Sequence, residues 1–148
     1  MSYGIKAYRS VGVKDDIAVA DPHRIIQLLM QGALENMAKA KGAMERKDFS
    51  LKAQAFGKSI AIISALKGSL DMDAGGEISQ NLDALYEFMI NHLTLASREV
   101  NIKKVDEVMT LLLTIKSAWD QIPVADREQG YKLRSELQQN IQQVAVGA

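Results

Sequence analysis

The sequence contains no cysteine, only two histidines and only two prolines in 148 residues. Without cysteine there can be no disulfide, thiolate metal site or cysteine nucleophile. Two histidines leave little with which to hold a metal. Neither charge sign is in excess: 18 basic side chains balance 18 acidic ones and are interspersed with them, so the chain has no electrostatic footprint for nucleic acid or an anionic membrane. There is no basic-then-apolar leader, and the longest apolar run, "VMTLLLTI", falls far short of a bilayer span. These absences imply a soluble, cytoplasmic chain without direct membrane insertion.

What remains is apolar and helical in pattern. The two prolines, Pro22 and Pro123, bracket a hundred residues that lack proline altogether. Asp21-Pro22 joins an N-cap residue to one favoured at the first helical position, where the missing N–H would have had no partner in any case. From there Ile26, Met30, Ala33, Met37, Ala40 and Met44 recur at steps of four and three, which stacks them on one face of a first helix.

Asp48 or Ser50 can cap a second helix, with a stripe at Phe49, Ala53, Phe56, Ile60, Ile63, Leu66 or Lys67, and Leu70. "DMDAGGE" then reads as a glycine turn. A third stripe runs through Ile78, Leu82, Leu85, Met89, Leu93 and Ala96. A fourth runs through Val105, Val108, Leu112, Ile115, Trp119 and Ile122 and is stopped by Pro123.

Short connections favour antiparallel neighbours, so the expected fold is all-α, an up-down-up-down four-helix bundle over residues 21–123. Residues 1–20 form an N-terminal lead segment. Residues 124–148 form a C-terminal tail in which Leu133, Leu137, Ile141 and Val144 outline a weaker fifth helix, with Gly130 against its first turn.

Motifs for catalysis or metal binding fail on spacing. Counted from Asp71, a calcium loop would need an oxygen ligand where Gly75 stands and a glutamate where Leu82 stands. His92 lacks the lysine and glycine that follow a phosphate-accepting histidine in bundle-type phosphotransfer proteins. Glu87 precedes His92 by five residues, not the three of a di-iron Glu-x-x-His pair. The densest basic patch, Lys39, Lys41, Arg46 and Lys47, is interleaved with Glu35 and Glu45 at helical spacing, as on a solvated face. No cofactor is implied, and the chain does not read as an enzyme.

The third helix carries more apolar surface than a bundle core needs. Tyr86 and Ile90 flank its stripe on one side and Phe88 and Leu95 on the other, an arc of roughly 220° against the somewhat over 100° that faces a core. Leu111 and Leu113 widen the fourth helix in the same way. Spare contiguous apolar surface marks a binding groove, and the natural ligand of a groove between helices is another amphipathic helix. The alternative use of the same surface is self-association of a structural or regulatory bundle.

Four ordered stretches, "GIKAY", "ADPHRIIQLL", "GGEISQNLDALYEFM" and "SAWDQI", resemble the flagellar export chaperone FliS family over residues 4 to about 123. The chain departs from the family pattern at Val19, at Leu28-Leu29-Met30-Gln31-Gly32, where an aromatic is usual, and at Ser97. The resemblance implies a cytoplasmic four-helix bundle that holds the C-terminal segment of flagellin in apolar grooves, prevents early polymerisation and delivers it to the export gate. It implies as partners flagellin and the cytoplasmic domain of the export gate protein, and leaves an anti-sigma factor open as a further one. Asn81, Leu82, Leu85, Tyr86, Met89 and Ile90 then become groove or groove-supporting residues. By the match of "GIKAY", Ile5 and Tyr8 become the pair that docks on the gate or lies over the groove.

Overall fold

The computed structural model describes residues 21–123 and residue 126. Over these it is all-α, as expected, with four helices: α1 Pro22–Arg46, α2 Phe49–Gly68, α3 Met72–Glu99 and α4 Ile102–Asp120. The lead segment with Ile5 and Tyr8, and the fifth-helix stripe in the tail, lie outside the described residues.

Each helix starts on an acidic or amide side chain that accepts a hydrogen bond from an otherwise unpaired first-turn N–H. Asp21 accepts from Arg24 at 2.8 Å, Asp48 from Leu51 at 3.1 Å, Asp71 from Ala74 at 2.9 Å and Asn101 from Lys104 at 3.3 Å. Two of the connections share one design. α1 ends on Lys47 and α3 on Val100, both in the left-handed region with φ of 57° and 53°, and the next residue caps the following helix. Such short hairpins force neighbouring helices antiparallel. α1 packs on α2 and α4, and α3 packs on the same two, so the helices form a closed ring of four.

The "DMDAGGE" stretch departs from its expected reading as a plain turn. Asp71 already caps α3, so the helix begins before the glycines and breaks at Gly76, whose φ of 52° and ψ of −130° suit only a residue without Cβ. Gly75 is just as constrained, because a Cβ there would fall 1.7 Å from the Ser79 hydroxyl.

The core is built by Met30, Met37, Ile62, Ile63, Leu66, Met89, Leu93, Val105, Val108 and Leu112. The α1 stripe faces inward as its spacing requires. The α2 stripe is rotated from the expected one: Phe49 and Ala53 are exposed, while Ala55, Ser59 and Ile62 join Phe56, Ile63 and Leu66 inside. Buried Ser59 donates a hydrogen bond from its hydroxyl to the Ala55 carbonyl at 2.8 Å, and buried Asn36 donates to the Gly32 carbonyl at 2.8 Å, so neither leaves its polar group without a partner. Trp119, in "SAWDQI", ties the end of α4 to the start of α1. Its ring stacks on His23 at 4.8 Å, and its indole N–H donates to the His23 carbonyl at 3.1 Å.

Candidate functional site: the open seam between α3 and α4

Cross-helix polar contacts fix which side of each helix faces which neighbour. On α3, Asp83 and Glu87 reach Lys67 of α2 at 3.1 and 3.8 Å. On the opposite flank His92 Nε2 meets Glu107 of α4 at 2.6 Å, and Glu99 meets Lys104 at 2.7 Å. Counting back from His92 in steps of four and three gives Phe88, Leu85, Asn81 and Ile78, which therefore lie along the α4-facing edge of α3. α4 meets α1 through Asp106 with Lys41 and through Asp120 with Gln27. That leaves Glu107, Leu111, Ile115, Ala118 and Ile122 along its α3-facing side.

The seam so defined has two different halves. Around the short α3–α4 connection it is closed by the two polar rungs, His92–Glu107 and Glu99–Lys104. The Lys104 ammonium hydrogen-bonded to Glu99 holds that carboxyl below the usual range. Continuing the same antiparallel register brings Phe88 level with Leu111, Leu85 with Ile115 and Ile78 with Ile122, with no charged residue among them. Ile78 is 72% exposed and Phe88 47%, while Leu85, Leu111, Ile115 and Ile122 are half-buried. Phe88 stacks on His92 at 4.8 Å, where the open half meets the closed one. An apolar strip rimmed by Asn81, Thr110 and Thr114 is what an amphipathic helix needs to bury its own apolar face.

The six residues expected at the groove separate into three groups. Asn81, exposed, and Leu85 sit on this seam. Leu82 and Ile90 are half-buried and pack against the core, Ile90 on the side towards α2. Tyr86 and Met89, at 2% and 0% exposure, are core residues that support the groove floor and offer a partner no surface. The residues that complete the seam are Ile78, from the stripe expected to face the core, and Phe88, from its flank. Their signal lay in the pairing of Glu107 with His92, which tells the exposed edge from the buried one.

Burial pushes the Tyr86 phenol up to about 12. The folded state thus holds its proton more tightly than the unfolded chain, whose tyrosines titrate near 10. Stability from this group is complete below pH 10 and is lost as pH rises towards 12. About 2 to 3 kcal/mol is at stake from a shift of that size. Alkaline denaturation followed by tyrosinate absorbance should show Tyr86→Phe holding its helical signal to higher pH than the wild type. Coincident alkaline transitions would refute this.

Among the described residues no group of three or more histidine, aspartate or glutamate side chains could hold a metal ion, and no helix is long and apolar enough to cross a membrane. Residues 4–126 match the family model described as "Flagellar protein FliS". Among curated proteins, the chain is 48% identical over 118 residues to the flagellar secretion chaperone FliSB of Pseudomonas aeruginosa, covering 80% of this chain and 94% of the relative. It is 41% identical over 123 residues to the flagellar secretion chaperone FliS of Vibrio cholerae, covering 83% and 90%. The corresponding protein of Salmonella typhimurium is 40% identical over 120 residues, covering 80% and 89%. With the family model spanning well over half of its residues and three relatives aligned along nearly their whole length, this chain belongs to the flagellar protein FliS family.

Proposed function

We propose that this protein is a cytoplasmic flagellar secretion chaperone that acts by burial rather than by catalysis, with the C-terminal segment of flagellin laid as a helix along the open half of the α3–α4 seam. The observation that carries this reading is the uncharged, partly exposed strip of Ile78, Leu85, Phe88, Leu111 and Ile115 in a chain whose relatives are named as secretion chaperones. A cargo helix that sheds its apolar face into this strip cannot use the same face to pack against another subunit, which is how occupancy prevents premature polymerisation. Ile78 and Phe88, the two exposed side chains of the strip, contribute roughly 1 to 2 kcal/mol each when their open surface is buried, and half-buried Leu85, Leu111 and Ile115 add smaller amounts. Together these contacts, after the cost of ordering the segment, suit a reversible complex that can be unloaded.

Delivery requires a second contact, and Ile5 and Tyr8 of "GIKAY" are our candidates for docking on the cytoplasmic domain of the export gate protein. Calorimetric titration with the terminal helical peptide of flagellin, with gel filtration of the mixture, tests the first contact. A one-to-one complex is expected, and the absence of both heat and a shifted peak overturns the proposal. Ile5→Ala/Tyr8→Ala should leave that titration unchanged and weaken capture by the gate domain. Self-association through the seam would instead appear as a concentration-dependent dimer that the peptide does not dissolve.

A further inference from the structure

One motif is left unused by the chaperone reading: the stripe Leu133, Leu137, Ile141 and Val144 in the tail. The family match ends at residue 126, so this stripe is an addition to the shared bundle. We infer that the tail is an intramolecular competitor for the α3–α4 seam, its apolar stripe occupying the strip of Ile78, Leu85, Phe88, Leu111 and Ile115 until cargo displaces it. This regulation rests on the seam being the cargo site, as proposed above.

Three observations select this occupant. The first is position: α4 ends at Asp120, Ile122 faces the seam level with Ile78, and the tail therefore leaves the bundle at the open end of the strip. The second is length. From Leu133 to Val144 a helix advances about 16 Å, and from Ile78 to Phe88 α3 advances about 15 Å, so the two stripes match. The nine residues 124–132 can span up to roughly 30 Å, ample for the chain to reverse and run alongside α3. The third is charge. Glu77, beside Ile78 at the mouth of the strip, is exposed and makes no ion pair among the described residues. The tail brings Lys132 and Arg134 next to its first apolar anchor, whereas its second half, from Leu137 to Val144, carries no charge and would lie over the uncharged middle of the seam.

Such a competitor lowers the apparent affinity for cargo by the fraction of molecules in which the strip is open, without altering the contacts cargo makes. The native chain has no cysteine, so Gln142→Cys gives a single attachment point for a nitroxide on the full-length protein. In the absence of cargo, the label should broaden the methyl signals of Leu85, Leu111 and Ile115 more strongly than those of Ile62 and Ile63 deeper in the core. Unaffected seam methyls overturn the inference. So does broadening that grows with protein concentration, which assigns the strip to the tail of a second copy.

In parallel, Leu137→Glu/Ile141→Glu in the full chain should raise affinity for the flagellin peptide about tenfold while lowering the melting temperature by only the few degrees that the lost tail contact supplied. Equal affinities overturn competition. If neither form binds the peptide, it is the chaperone reading that fails, while the nitroxide measurement still decides whether the tail lies in the seam.

Discussion

Ile78→Asp combined with Phe88→Asp is expected to weaken binding of the flagellin C-terminal peptide by roughly 100-fold or more while leaving the bundle folded. On the bundle itself the two side chains are 72% and 47% exposed, so replacing them costs its core little. In the complex both would be buried. Ile78 and Phe88 have 72% and 47% of their surface left to bury, so their loss removes about 1 to 2 kcal/mol each, together one to three factors of ten in affinity. The aspartates add to this, because a carboxylate pressed into an apolar strip must either give up its hydration or keep the cargo helix at a distance. Calorimetry of the variant, with a thermal melt as control, provides the check. Wild-type affinity in a variant with a wild-type melt would remove the seam from consideration as the cargo site.

Met89→Ala should behave in the opposite way. Met89 is one turn from Leu85 and, by the family resemblance, is expected as a groove or groove-supporting residue; it is fully buried between the helices. Truncating a side chain of this size in a closed core costs about 2 to 5 kcal/mol, since the lost transfer energy is joined by that of the cavity left behind. For a domain of this size that corresponds to a fall in melting temperature of roughly 10 °C or more. Below the transition, the molecules that remain folded should bind the flagellin peptide within about threefold of the wild type. A variant with an unchanged melt and a large loss of affinity would place Met89 in contact with cargo after all.

The contrast between these two variants shows how far the sequence could be read. Four helices, the cap at Asp21, the alternative at Asp48, the inward stripe of α1 and the Val105-Val108-Leu112 part of the α4 stripe follow from local chemistry: a short polar side chain before a helix and apolar residues at steps of three and four. The phase of α2 does not. Alanines at 53, 55, 61 and 65 surround that helix, so several rotations would bury comparable apolar area, and only packing against its neighbours leaves Phe49 in solvent.

On α3 the surplus of apolar surface was evident, but not which edge of it stays open. Periodicity gives the angle between Tyr86 and Phe88; it does not say which of them faces α2 and which α4. Lys67 and Glu107, far from both in sequence, settle that by pairing with Asp83 and His92. The glycine pair was legible as an interruption, but Asp71 competes for the helix start and wins because its carboxylate satisfies the Ala74 N–H.

The ring of helices is unevenly finished. α1 buries residues along nearly its full length, from His23 to Met44, including the small Gly32, Ala33, Ala40 and Ala43 that let neighbouring backbones approach closely. α3, although longer, buries only Ser79, Tyr86, Met89, Leu93 and Ala96, and α4 only Val105, Val108 and Leu112. Amide protons of α1 should therefore exchange with solvent only through global unfolding, whereas the outer edges of α3 and α4 can breathe apart in small, frequent excursions. Half of the molecule is then an anvil and the other half a jaw, and cargo can enter or leave without the fold itself coming undone.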